Sequence, residues 1–175
     1  MWRVALEHVL MSVMDRAELE AAFLDYQRTV EDIVRTGEWD RFAALFTEDA
    51  DYVEHAYGTF KGRDEIRSWI IKTMTTFPGS EMTGFPVNWA LLDPDQRRVV
   101  CEINNPMRDP GDGSEHGATN ITILDYAGNG LWSREEDVYN PQKFADMTRD
   151  WSRVARDNGT LSDEGARLLA FLERA

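Results

Sequence analysis

Two short runs carry the side chains best suited to moving protons: Tyr52-Val53-Glu54-His55-Ala56-Tyr57-Gly58 and Arg134-Glu135-Glu136-Asp137-Val138-Tyr139. Both read as extended chain, where successive side chains point to opposite faces. Tyr52 and Glu54 therefore share one face of the first run, and Val53 and His55 the other. In the second run Glu135, Asp137 and Tyr139 fall together. A histidine, with an ordinary pKa of about 6.5, exchanges a proton near neutrality without the burial a carboxylate needs. The same side chains are metal-ligand types, and His55, His116, Glu54 and Asp137 are the set to test. No His-x-x-x-His or other compact ligand motif occurs, so neither a metal nor another cofactor is expected. Competing with any chemistry is a plainer reading, in which His55 is a structural histidine and Arg134 to Asp137 a solvated strand end.

The elements that must hold these runs can be read from periodicity. Asp15 and Glu18 form a capping box, with Met14 and Leu19 as its staple. Leu19, Phe23, Tyr26, Val30 and Ile33 then make one apolar stripe on a long helix ended by Gly37. In that stripe Tyr26 reads as core. A shorter helix covers about 39–46, a strand 51–57, and Gly58 and Gly62 bracket a turn. Ile66, Trp69, Ile70, Met74 and Phe77 mark the buried face of the next helix, stopped by Pro78-Gly79. Strands follow at 85–91, 98–104, 116–126 and 131–139, with Asn105 to Ser114 as an exposed loop and Gly128-Asn129-Gly130 as a hairpin signal. Asn140-Pro141 opens a helix carrying Phe144, Met147, Trp151 and Val154, and Ser162 caps a last short one. Helices followed by a run of antiparallel strands predict an α+β domain, helices packed on one face of a curved sheet. The expected division is an extension at 1–14, a domain at 15–140 and a helical tail at 141–175.

With 175 residues the chain is long enough for one well-buried core. Its 32 acidic against 19 basic residues give a formal charge of -13. That disfavours nucleic acid, whose phosphates need cationic partners, and anionic membrane surfaces as well. A single cysteine, Cys101, makes no internal disulfide, and with no apolar run of membrane-spanning length the expected location is cytoplasmic. Residues 1–13, interrupted by Arg3, Glu7 and His8, do not read as a signal peptide.

The order Trp39-Asp40-Arg41-Phe42, Leu45-Phe46-Thr47-Glu48-Asp49-Ala50, Tyr52 to Gly58, Lys61-Gly62-Arg63-Asp64-Glu65-Ile66 and Trp69-Ile70 resembles the SnoaL-like branch of the nuclear transport factor 2-like superfamily. That branch includes ketosteroid isomerases and polyketide cyclases, and the resemblance spans roughly Leu19 to Tyr139. It implies a cone-shaped fold whose sheet and helices enclose a pocket. In ketosteroid isomerases an Asp-Pro-Phe-Gly run carries the general base. Aligned from Gly58, that position is His55; aligned from the helix tip Glu48-Asp49-Ala50, it is Glu54. A bulge decides between them, because a one-residue slip reverses every side chain. The isomerase oxyanion donors fall on Val30 and Thr122, which disfavours steroid isomerisation.

SnoaL-type cyclases use a late-strand aspartate, and Asp137 is the nearest match. The resemblance thus implies a cofactor-free acid/base enzyme of cyclase, isomerase, dehydratase or hydrolase type. His55 is its base, Asp137 the orienter or acid, and Glu54 the reserve base. Tyr52, Trp69, Trp89, Asn120, Thr122, Glu135 and Tyr139 would line the pocket. The aromatics suit a small, mostly apolar cyclic molecule. A ligand-binding module without turnover, or a structural subunit, is the alternative. On the strand at 116–126, hydrophobicity would bury Ile121 and Ile123, whereas the resemblance turns Asn120 and Thr122 inward. Both hold if the convex face is covered in a homodimer, which is the expectation.

Overall fold

The computed structural model describes residues 16–174. The Asp15 cap, its Met14 staple and the extension at 1–14 lie outside the described residues.

Helix α1 (Arg16–Thr36) buries the stripe Leu19, Phe23, Tyr26, Val30 and Ile33. It ends at Gly37, whose φ of +74° is open to glycine at little cost. The segment Trp39–Leu45 is a 3-10 turn rather than the expected α-helix. Only seven residues separate the Glu38 boundary from the next strand, and no side chain caps its start, conditions that favour the tighter helix. Strand β1 (Phe46–Glu54) begins before the expected residue 51. Phe46 already pairs with Trp132, and an irregularity between Phe46 and Asp51 makes the intervening acidic residues look like a helix tip. The turn bracketed by Gly58 and Gly62 contains a short strand, β2 (Gly58–Lys61), too brief to show alternation in sequence.

Helix α2 (Gly62–Thr75) buries Ile66, Ile70 and Met74. Strands β3 (Val87–Asp93), β4 (Arg98–Pro106), β5 (Gly117–Gly128) and β6 (Leu131–Val138) follow. Helices α3 (Pro141–Asp157) and α4 (Asp163–Leu172) complete the chain, capped by Asn140 and Ser162. The six strands form one sheet in the order β2-β1-β6-β5-β4-β3. Every pairing is antiparallel except β1 with β6, which run parallel and bring the two chemistry-bearing runs side by side. The α+β class and helix-lined curved sheet agree with the expectation.

Side chains alternate cleanly along β4 and through most of β5. Val99, Cys101 and Ile103 of β4, Leu124 and Tyr126 of β5, and Tyr52 of β1 pack inward against α1 and α2. A second, smaller cluster of Phe77, Met107, Met147, Trp151 and Ala155 holds the C-terminal helices. The cavity lies where the walls supplied by these two clusters meet.

Candidate active site

The parallel register sets Glu54 opposite Asp137, Val53 opposite Glu136 and Tyr52 opposite Glu135. Since the β1 irregularity precedes Asp51, alternation is unbroken from there to Glu54. Tyr52 and Glu54 turn inward and are buried, whereas His55 turns out. Its Nε2 lies 2.8 Å from Glu136 Oε1, on the convex side, and 47% of its side chain is exposed. His55 and Asp137 therefore occupy opposite faces, and the expected His55–Asp137 dyad is not formed. Period-two geometry explains the separation, because Asp137 shares its face with Glu135 and not with Glu136.

On the inward face a different constellation forms. Asp137 accepts three hydrogen bonds: from the Tyr52 hydroxyl to Oδ2 (2.5 Å), and from Thr122 Oγ1 (2.5 Å) and Asn120 Nδ2 (2.8 Å) to Oδ1. Asn105 Nδ2 in turn donates to Asn120 Oδ1 (2.8 Å) and to the Ala118 carbonyl (3.0 Å). This fixes the Asn120 amide with its NH2 toward Asp137. Two residues earlier, Glu135 is 3% exposed and is touched by the Tyr26 hydroxyl at 3.1 and 2.9 Å. Burial, then the neighbouring Asp137 charge, push the Glu135 carboxyl well above its ordinary range. Asp137 is raised too, mainly by burial, but its Thr122, Tyr52 and Asn120 donors pull the other way. Two carboxyls thus share one wall in contrasting surroundings: Asp137 is held by three side-chain donors, whereas at Glu135 burial and the Asp137 charge outweigh the tyrosine hydroxyls that touch it.

The cavity they face has a volume of about 1040 Å³. Tyr26, Tyr52, Thr122, Asn105, Asn120, Glu135, Asp137 and Tyr139 form its polar floor, and Trp39, Phe42, Trp69 and Phe85 are among its apolar walls. Trp69 packs against Tyr52 with ring centroids 4.6 Å apart. The cationic side chains on its boundary, Arg35 and Lys72, are both exposed. Among the described residues, no three His, Cys, Asp or Glu side chains are grouped to hold a metal ion. The Cys101 thiol, buried and facing Glu135 and Asp137, is pushed up to about 12, which leaves it unreactive.

The reserve base Glu54 and the expected lining residue Trp89 stand elsewhere. Glu54 is buried, but its Oε2 accepts the backbone N–H groups of Ala56 and Tyr57 at 2.8 and 2.7 Å, so it caps the β1–β2 turn. It also receives the Tyr139 hydroxyl, whose ionisation burial and Glu54 suppress. Trp89 is 43% exposed on the convex face, because the register shift between Val87 and Trp89 turns Ala90 and Leu92 inward instead. Two residues belong to the site that sequence reasoning placed otherwise. Tyr26 is core by its ring, but its hydroxyl reaches Glu135 on the cavity wall, since a buried phenol needs a partner. Asn105, expected in an exposed loop, is the last inward residue of the alternation Val99, Cys101, Ile103, Asn105. That continued period was the available signal.

A family model described as a SnoaL-like domain matches residues 12–130. The chain belongs to the SnoaL-like family. The match stops before β6, so Glu135, Asp137 and both C-terminal helices lie beyond it. No curated protein matches the sequence. Among solved structures, the SnoaL-like chain is similar to a ketosteroid isomerase-like protein from Catenulispora acidiphila in complex with trimethylamine. That similarity has 21% identity and a TM-score of 0.54, covering 68% of this chain and 88% of the other. It is also similar to SalBIII, an epoxide hydrolase/cyclase-like enzyme of pyran ring formation in the polyether salinomycin (16%, 0.58, 74% and 96%). A third is an LEH-like epoxide hydrolase from M. tuberculosis (10%, 0.53, 75% and 89%). At these identities the likeness shows the shared fold, the helix-lined cone. Among the described residues no helix is long and apolar enough to cross a membrane.

Proposed function

We propose that this SnoaL-like chain is a cofactor-independent acid/base enzyme acting on a small, neutral, largely apolar cyclic molecule that bears a carbonyl or epoxide oxygen. The observation that carries the reading is the Glu135/Asp137 pair, two carboxyls on one cavity wall whose surroundings push them apart. Such a division assigns an acid and a base. Glu135, desolvated beside a like charge, holds the proton, and Asp137 with its three donors carries the negative charge.

For an epoxide, water gives a proton to Asp137 as its oxygen forms a new C–O bond. The ring C–O bond breaks, and the released oxygen takes the Glu135 proton. For a ketone, Asp137 removes a proton from the carbon beside the carbonyl. That electron pair becomes the C=C bond as the carbonyl oxygen takes the proton from Glu135. Tyr26 and Tyr52 hold the two carboxyls in place, and the aromatic walls exclude water, which strengthens both interactions. The names of the SalBIII and M. tuberculosis structures lend support to the epoxide version.

The test is incubation with a panel of cyclic epoxides and enones, with products followed by mass spectrometry. Turnover that falls by about 100-fold or more in both Asp137→Asn and Glu135→Gln supports the assignment. Turnover surviving Asp137→Asn ends it. One observation favours a second reading, a binding module without catalysis: three donors on Asp137 lower its appetite for a proton. Retained ligand with no product in the wild-type chain would select that reading. As a further part of the proposal, a second copy of the chain covers the convex face, where Trp89, Leu91 and Val138 are exposed.

A further inference from the structure

The helices beyond the family match are built into the cavity. On α3, Phe144, Ala145 and Thr148 line it, and on α4, Leu168 and Leu172 do so. Those spacings put each set on one helical face. The opposite requirement, attachment to the body, is met by other positions of α3: Met147, Trp151 and Ala155 are buried against Phe77 and Met107. Phe144 and Leu168 pack against that cluster as well as lining the cavity, so the helix pair presents to the cavity the edge of the face that anchors it.

The anchorage is rigid. Trp151 is fully buried, and its indole N–H donates to the Arg108 carbonyl at 2.7 Å. The Arg108 guanidinium lies 5.0 Å from the Trp151 ring centroid, pairs with Glu81 and donates to the Thr160 carbonyl at 2.8 Å. Thr160 Oγ1 donates to the Pro110 carbonyl at 2.6 Å. Gly165 brings α4 so close that a Cβ there would meet Leu161 at 2.5 Å and Phe77 at 3.1 Å. At the other end, Phe144 packs on the floor residue Tyr139 with ring centroids 4.6 Å apart. A surface pinned at both ends, in an interior that yields little to added volume, acts as a stop rather than a flap.

We propose that the α3–α4 pair is the specificity wall of the cavity, and that Phe144, Thr148, Leu168 and Leu172 set the longest apolar skeleton a ligand can carry when its oxygen sits at Glu135 and Asp137. This rests on the reading of the cavity as a site for neutral apolar molecules. Shortening the wall admits larger skeletons, and thickening it excludes them while leaving small ones untouched.

The test uses Nile red, an uncharged dye, as the cavity probe, displaced by cyclohexanone, 2-decalone and a steroid ketone. Leu168→Trp and Leu172→Trp should weaken the steroid ketone relative to cyclohexanone by about tenfold, equivalent to about 1.4 kcal/mol. Phe144→Ala should shift the ratio the other way. Circular dichroism and melting establish that each variant is folded. Should Leu168→Trp not fold, Leu172→Trp and Phe144→Ala decide between them. Ketone binding with a size ratio unchanged within about twofold in the folded variants overturns the wall and spares the cavity reading. Absence of dye and ketone binding in the wild-type chain overturns both.

Discussion

At the scale of single residues, the fold opposes the charge of Glu135 and Asp137. Raising a carboxyl's pKa in the folded state means that the folded chain keeps a proton the unfolded chain has lost. The stability Glu135 contributes is therefore fully present below its ordinary value of 4.5 and declines as pH rises through its elevated folded value. Glu135→Gln keeps the shape without the charge. Its melting temperature should match wild type near pH 4.5 and exceed it at pH 8 by roughly 2–4 °C, the shift of about 1 kcal/mol at this chain length. Equal melting curves at both pH values would show that Glu135 is ionised at no cost. His55→Ala, in contrast, removes a half-exposed side-chain contact with Glu136, worth at most about 1 kcal/mol. Turnover and ligand affinity should stay within about twofold of wild type, and a large loss in steady-state kinetics would return His55 to the site. The cavity-facing position of Asp137 was legible because residue type and strand parity agree. The partner was misjudged because two adjacent strand residues differ in facing, and sequence does not show where the bulge lies.

Among the elements, long periodic segments were readable and short ones were not. The α1 stripe and the Asn140-Pro141 and Ser162 caps stand where periodicity put them. The 3-10 turn and β2 lack the length to display a period, and neighbouring strands decide their form. Asn105 was hidden by the polar, glycine-rich residues after it, although its strand partner Ala118 and its contact Asn120 fix it firmly. The C-terminal helices give this scale its sharpest test. Trp151→Ala empties the centre of their small core and should cost about 3–5 kcal/mol. Hydrogen exchange should then show protection lost first in α3 and α4, with the β4–β5 pairing retained. Uniform loss across the sheet would mean that the tail and the cone melt as one unit.

The whole molecule presents two faces of the same sheet with opposite tasks. Asn120, Thr122 and Leu124 point to the cavity side of β5, while Ile121 and Ile123 are half-buried on the other side, near exposed Leu91. If a second copy covers that convex face, Leu91→Glu should yield a monomer by analytical ultracentrifugation with the melting curve little changed. A wild-type chain that sediments as a monomer would remove the homodimer altogether. The floor of the cavity has its own consequence for what the protein meets in a cell. Many abundant greasy metabolites, fatty acids above all, end in a carboxylate. Here such a head group would arrive beside Glu135 and Asp137, with Arg35 and Lys72 turned to solvent. With Asp137 charged, as proposed, its repulsion and the head group's lost hydration would leave it unbound. On the proposed reading, greasy carboxylates would not clog this cavity, and it would stay open for molecules that carry no charge.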